Sequence, residues 1–191
     1  MKNKGLVVGL AILGIIAIIG MSFVGTYNKL QVMDEQVTAN WAQVENQLKR
    51  RNDLIPNLVN TVKGYAKHES EVFTNIADAR SKLAGSINNG DVKAIQQSNN
   101  ELNSALSRLL VVVENYPTLK ADKSFISLQD ELTGTENRLA VARRDYNESV
   151  KEINALVRTF PTSIIASIVN VEKREYFEVP EAEKAAPKVE F

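Results

Sequence analysis

The sequence predicts an all-α protein: one membrane-spanning helix at the amino end, followed by long amphipathic helices packed on one another. Three observations carry this. Residues 6–25 hold no charge and are nearly all Val, Leu, Ile, Ala and Gly. From residue 27 on, apolar residues recur in alternating steps of three and four, the period of a buried helical seam. No alternating run is long enough to build a sheet.

Roughly twenty uncharged apolar residues cross a bilayer core as a helix. A cleaved signal peptide is the competing reading of residues 6–25. The run is longer than a signal core, no small-x-small cleavage site follows before Tyr27, and no cysteine is present to take a lipid. An anchor is therefore the expectation. Lys2 and Lys4 precede the span and only Lys29 follows closely, so the positive-inside rule places the amino terminus in the cytoplasm and the rest outside. A single-pass membrane protein with its bulk outside the cytoplasm, in the periplasm or at the cell surface, results.

The first long amphipathic segment carries Leu30, Val37, Trp41, Val44 and Leu48, then Ile55, Leu58, Val62 and Tyr65 in one phase. Arg51 takes the position in the middle of that seam where an apolar residue belongs. Pro56 lacks a backbone donor and pushes Ile55 away from helical dihedrals. Either Asn52 or Asp53 caps a new helix there, or one long helix bends; the unbroken phase favours the bend. The seam runs on through Glu69, Val72, Ile76, Ala79 and Leu83, and 85–90 reads as a loop. Asp91 is a helix cap for the segment with Ile95, Asn99, Leu102, Leu106, Leu109 and Val113, which Tyr116-Pro117 ends. A third segment from about 122 to 160 has Phe125, Leu128, Leu132, Thr135, Leu139, Ala142, Tyr146, Val150, Ile153, Val157 and Phe160 in phase. Residues 164–169 form an apolar patch suited to a small helix against the bundle end or a membrane surface. The organisation expected is an anchor (1–26), a helical bundle (27–170) and a loosely ordered tail (171–191).

With Arg50-Arg51, Asp53-Leu54-Ile55-Pro56-Asn57-Leu58-Val59 and Glu114-Asn115-Tyr116-Pro117 in this order, the chain resembles the LemA family of bacterial membrane-anchored proteins. The resemblance rests on Arg50-Arg51 with Asp53-Leu54-Ile55-Pro56-Asn57-Leu58-Val59, on Val62-Lys63-Gly64-Tyr65 and on His68-Glu69. Glu114-Asn115-Tyr116-Pro117, Leu128-Gln129-Asp130-Glu131-Leu132, Glu136-Asn137-Arg138 and Ala142-Arg143-Arg144-Asp145-Tyr146-Asn147 continue it. Phe160-Pro161 and the ending Pro187-Lys188-Val189-Glu190-Phe191 complete it, so nearly the whole chain is covered. The resemblance implies an amino-terminal span and an elongated antiparallel bundle of four-helix type, with a bend or reversal at Pro56 supplying the additional segment. It implies no assigned catalytic reaction.

Composition narrows the function further. Lys plus Arg and Asp plus Glu both number 23, so no net field favours nucleic acid. There are no cysteines and one histidine, too few soft ligands for an ordinary zinc site. No cofactor is expected, and no phosphate loop or Ser/His/Asp set occurs.

The candidate structural or interaction residues are Arg50, Arg51, Asp53, Pro56, Glu69, Glu136, Arg143 and Arg144. Arg51 either pairs with a carboxylate in the bundle or reaches solvent over its own stem. Glu69, on a core-type position, is the first candidate partner; Asp53, Glu136 and Glu114 are the others. Arg143-Arg144-Asp145 with Glu136 either grips an anionic head group or forms a solvated helix face with modest ion pairs. Trp41 follows the seam and reads as core.

The expected function is that of a non-enzymatic, membrane-anchored helical interaction or scaffold protein of the bacterial envelope. Its partners would be lipid through residues 6–25, further copies of itself, or another envelope protein. The alternatives are an envelope hydrolase or metal-dependent enzyme around His68, Glu69 and Glu136, and a membrane-remodelling bundle acting through residues 164–169.

Overall fold

The computed structural model describes residues 3–178. Six helices occur in this range: α1 (Asn3–Tyr65), α2 (Ser70–Asn89), α3 (Val92–Val113), α4 (Pro117–Lys120), α5 (Lys123–Leu156) and α6 (Thr162–Ile168). No strand is present among the described residues. The all-α expectation and the long amino-terminal apolar helix are both found. Side chains from Val7 to Val24 are exposed all round, so no other element among the described residues covers this apolar part of α1. A helix that is apolar on every side and packs on no protein suits a lipid surround.

The chain divides into two compact units. One comprises Met1–Ala39 with Glu148–Arg174. Here Leu30 is fully buried against Ile165 and Ala166, with Leu156, Val157, Val169 and Val171 packed around them. Asn154 donates from Nδ2 to the Arg174 carbonyl and accepts from the Arg174 N–H, both at 2.9 Å. The Arg174 guanidinium in turn forks onto Asp34 Oδ1 at 3.1 and 2.6 Å. Such two-pronged contacts hold an irregular segment whose backbone has no helix to satisfy it.

The other unit comprises Asn40–Asn147 and the chain from Glu175 on. Cross-links between helices give its topology. Asn40 donates to the Asp145 carbonyl, Arg50 pairs with Glu131, and the Tyr65 hydroxyl donates to Asp122. Numbers rise along α1 as they fall along α5, so the two are antiparallel. Lys63 lies over the Phe73 ring and Arg80 reaches the Asn52 carbonyl, so α2 runs back along α1. Lys82 meets Glu101 at 2.9 Å across the α2–α3 hairpin. These four segments form an up-down-up-down bundle, filled by Val44, Leu48, Ile55, Leu58, Val62, Ile76, Leu83, Ile95, Leu102, Leu109, Phe125 and Leu139.

α1 passes through Pro56 as one helix, as the unbroken phase favours; Asn52 and Asp53 cap nothing, and the reversal lies elsewhere. Other boundaries differ from the sequence reading, each for a physical reason. It falls at residues 66–69, where Lys67-His68-Glu69 offers no apolar side chain to bury and Ala66 closes the turn inside. The buried positions flanking that turn are Ala66 and Phe73, whereas Tyr65 is exposed. α2 continues through Gly85 to Asn89 because Ile87 keeps the seam buried. Gly90, at φ 70°, ends it in a left-handed cap. Asp91 caps α3 as expected, its Oδ1 accepting from the N–H groups of Lys93 and Ala94. α5 stops at Leu156, four residues before Phe160, whose peptide bond to Pro161 is cis.

The tail also departs from a loose reading at its start. Phe177 exchanges two 2.8 Å hydrogen bonds with the Asn147 side chain, and Tyr146 donates to the Glu175 carbonyl. Residues 179–191 lie outside the described range.

Candidate functional site: a polar layer inside the bundle

Three of the apolar seams carry a polar break, and the fold brings two of them, Arg51 and Asn99, together with Glu136 beside the third. On α1 it is Arg51, on α3 Asn99, on α5 Thr135 with Glu136 beside it. Arg51 Nη1 donates to Asn99 Oδ1 at 3.1 Å. The same nitrogen lies 2.9 Å from Glu136 Oε2, an ion-pair contact without the alignment of a hydrogen bond, since Oε2 has no aligned donor. The Arg51 side chain is 7% exposed and that of Glu136 40%, so the pair sits with its cation inside and its carboxylate at the edge. Arg143 Nη1 approaches the other Glu136 oxygen at 3.9 Å.

Burial lowers the pKa of the Arg51 guanidinium from its ordinary value, and the Glu136 charge opposes this only in part. A lowered pKa on a base means that the folded state holds the proton less tightly than the unfolded chain. The cost is present at every pH below the lowered value and is relieved only as pH rises through it. Arg51 is thus an expense to the fold at neutral pH, offset by its contacts. What it supplies is selectivity: an apolar seam can slide by a turn, but a slid bundle leaves a buried cation facing no acceptor.

Next along α1, Pro56 cannot donate to the carbonyl four residues back, that of Asn52. Arg80 Nε from α2 supplies that bond instead, at 3.0 Å. The proline gap in α1 is therefore filled by a cation on the neighbouring helix, which explains how an uninterrupted helix tolerates Pro56. Around the layer, Thr135 is fully buried, with Arg138 Nη2 donating to its hydroxyl at 3.1 Å.

The expected site residues fall into three groups. Arg51 and Glu136 meet, with Arg143 beside them, and Pro56 and Arg50 flank the layer. Arg50 meets Glu131 at the surface, at 2.9 Å. Asp53 is exposed and outside the layer. Glu69 is not the partner of Arg51: it stands at the start of α2, where Tyr116 donates to it at 3.5 Å. Arg144 turns to its neighbour Asp145 at 2.8 Å, while Arg143 also lies 4.8 Å over the Phe177 ring. Trp41 packs against Tyr146 and Phe177, with centroids 5.0 and 6.2 Å apart.

His68 is exposed in the α1–α2 turn. Arg51, which meets Glu136, lies fourteen residues before the end of α1, roughly 20 Å along the axis. His68 and Glu136 are therefore not brought together. Among the described residues no group of three or more His, Asp and Glu side chains is close enough to hold a metal ion. Asn99 and Arg80 were not singled out from sequence, although Asn99 interrupts its seam between Ile95 and Leu102 just as Arg51 interrupts its own.

Comparison with known proteins identifies the family. The family model described as LemA family matches residues 40–191. Magnetosome protein MamQ 2 of Paramagnetospirillum magneticum is 26% identical, over 92% of this chain and 74% of its own length. Magnetosome protein MamQ of Magnetospirillum gryphiswaldense is 24% identical, over 90% and 71%. Protein LemA of Metamycoplasma hominis is 25% identical, over 85% and 73%. A bundle matched over most of the chain, preceded by a long apolar helix, makes this a membrane-associated protein that belongs to the LemA family.

Proposed function

We propose that the protein is a non-enzymatic, membrane-anchored scaffold of the bacterial envelope, presenting a helical bundle of fixed register to further copies of itself or to another envelope protein. Residues 6–25 hold it in the inner membrane, with the amino terminus in the cytoplasm and the bundle outside.

The observation that carries this reading is the use of the polar layer. Arg51, Asn99, Glu136 and Arg80 each make contact with a neighbouring helix, Arg51 with Asn99 and Glu136, and Arg80 with the Asn52 carbonyl. Groups disposed in this way specify a packing arrangement, and a rigid arrangement is what a docking surface requires. The surface of the bundle also leaves Leu110, Val111 and Ile126 exposed.

The test is the mass of the full chain in detergent or nanodiscs, combined with crosslinking in native membranes. Species above monomer mass, or a crosslinked envelope protein, are expected. Strict monomers with no crosslinked partner would remove the reading. A compartment-sensitive reporter at the carboxyl end decides the topology, with activity outside the cytoplasm as the expected result.

A further inference from the structure

The short helix α6 is amphipathic. Ile165 and Ala166 are buried against Leu30 of α1. Ile164 and Ile168, one turn apart on the other side, are 55% and 63% exposed, and Phe160 on the approach is 82% exposed. Large apolar side chains left open in this way are unfavourable in water.

Their height along α1 is set by the Leu30 contact. Leu30 comes five residues after Gly25, the last residue of the uncharged run, which is roughly 7 Å of helix. The interfacial zone on each side of the hydrocarbon core is about 5–7 Å deep. With residues 6–25 filling the core, α6 is therefore held at the level of the lipid head groups. Arg158 and Lys173, both exposed in the same unit, give the surround cations suited to lipid phosphates.

We propose that Phe160, Ile164 and Ile168 form a second membrane contact, seated in the interface of the bilayer that residues 6–25 cross. It rests on the reading of residues 6–25 as the membrane span. The occupant is the phospholipid surface, because the Leu30 contact holds α6 at the level of the lipid interface when residues 6–25 are inserted. The contact gives α1 two points of attachment and so fixes its rotation at the membrane exit, which a single span does not.

The chain has no cysteine, so single-cysteine labelling is unambiguous. An environment-sensitive fluorophore is placed in turn at Ile164→Cys, Ile168→Cys, Glu148→Cys and Ile15→Cys of the full chain. Each variant is reconstituted in phosphatidylethanolamine–phosphatidylglycerol vesicles, and its helicity is checked by circular dichroism. Probes at 164 and 168 are expected to shift to the blue and to be quenched by lipids brominated near the head group. The probe at 148 should stay water-like, and that at 15 should be quenched by lipids brominated near the chain ends.

Quenching at 15 with water-like emission at 164 and 168 would overturn the interfacial contact and leave the span intact. Absence of quenching at 15 would remove the span and the proposal together. Blue-shifted emission at 164 and 168 without lipid quenching would mean that a second protein surface covers the patch, which also overturns it.

Discussion

Arg50 and Arg51 are adjacent on α1 and each meets a glutamate of α5, yet the two contacts belong to different regions of the bundle. Arg50 and Glu131 lie on the rim, their side chains 54% and 42% exposed. Arg51 lies in the core, where it is also bonded to the buried Asn99. In water the Coulomb attraction of a pair at this distance is mostly screened, and two long side chains lose freedom to form it. Inside, the attraction is stronger, but removing the cation from water costs several kcal/mol. A rim pair is thus cheap to make and cheap to lose. The core pair adds little net stability, and breaking it is expensive.

The comparison is tested most severely by taking away one half of the core pair. Glu136→Ala leaves the Arg51 cation buried with Asn99 alone, and should cost about 2–4 kcal/mol, less than a fully buried pair because Glu136 is partly solvated. Urea titration of the full chain in detergent reads this as a lower midpoint. Replacing both inner partners, Arg51→Met with Asn99→Leu, should return stability to within about 1 kcal/mol of the parent. If the double replacement is as damaging as Glu136→Ala, the layer is a net source of stability and the account of it as a register device fails.

Next in size is the proline gap. Arg80→Ala strands the Asn52 carbonyl and should cost about 1–2 kcal/mol. In a Pro56→Ala background, residue 56 regains a donor for that carbonyl, so the same substitution should cost less. A coupling of about 1 kcal/mol between the two sites is expected. Equal losses in both backgrounds would show that Arg80 acts through something other than the missing proline donor.

The core seams and the outline of the helices were legible in the sequence because burial imposes a period that survives in the residues. Leu48, Ile55, Leu58, Ile76 and Leu83 were all placed correctly. The polar layer was half legible. Arg51, Asn99 and Thr135 each break a seam, and that pattern is visible, but which break faces which depends on helix stagger, a tertiary quantity. Glu69, Asp53, Glu136 and Glu114 are equal candidates for Arg51 by spacing; the chain reverses at 66–69, which leaves Glu69 at the start of α2, and Glu136 takes the place. Pro56 announced a disturbance without its remedy, since the donor lies twenty-four residues away on another helix. Phe160 looked like core from its spacing alone, yet α5 ends before it.

A smaller effect is expected where the rim closes the end of the bundle. Asp122 accepts from the N–H groups of Phe125 and Ser124 at the start of α5 and from the Tyr65 hydroxyl. The Phe125 N–H first, then Tyr65, hold its carboxyl below the ordinary value of 3.8. A lowered acid pKa contributes stability that is present above the unfolded value and lost as pH falls through the folded one. Tyr65 shows the mirror image: the Asp122 bond raises it above 10.0, so its contribution is present below that value and lost as pH rises through the raised one. Thermal melts of the parent and Asp122→Asn should differ above about pH 5 and converge in acid. Melts that keep a constant separation down to the lowest pH would contradict a charge-based role for this carboxyl.

The smallest effect should come from the rim pair itself, and it completes the contrast. Glu131→Gln keeps the size of the side chain and removes its charge, so Arg50 loses its partner while staying hydrated. The expected loss is about 0.5 kcal/mol or less, and it should shrink as salt is added, since the Debye length falls to roughly 3 Å at 1 M. Glu136→Ala should be almost indifferent to the same salt, because its effect comes from desolvation inside the bundle. Two substitutions on α5, five residues apart, are thus predicted to differ both in size and in salt response. A salt-sensitive loss at Glu136, or a large salt-insensitive loss at Glu131, would place the boundary between rim and core somewhere other than between Arg50 and Arg51.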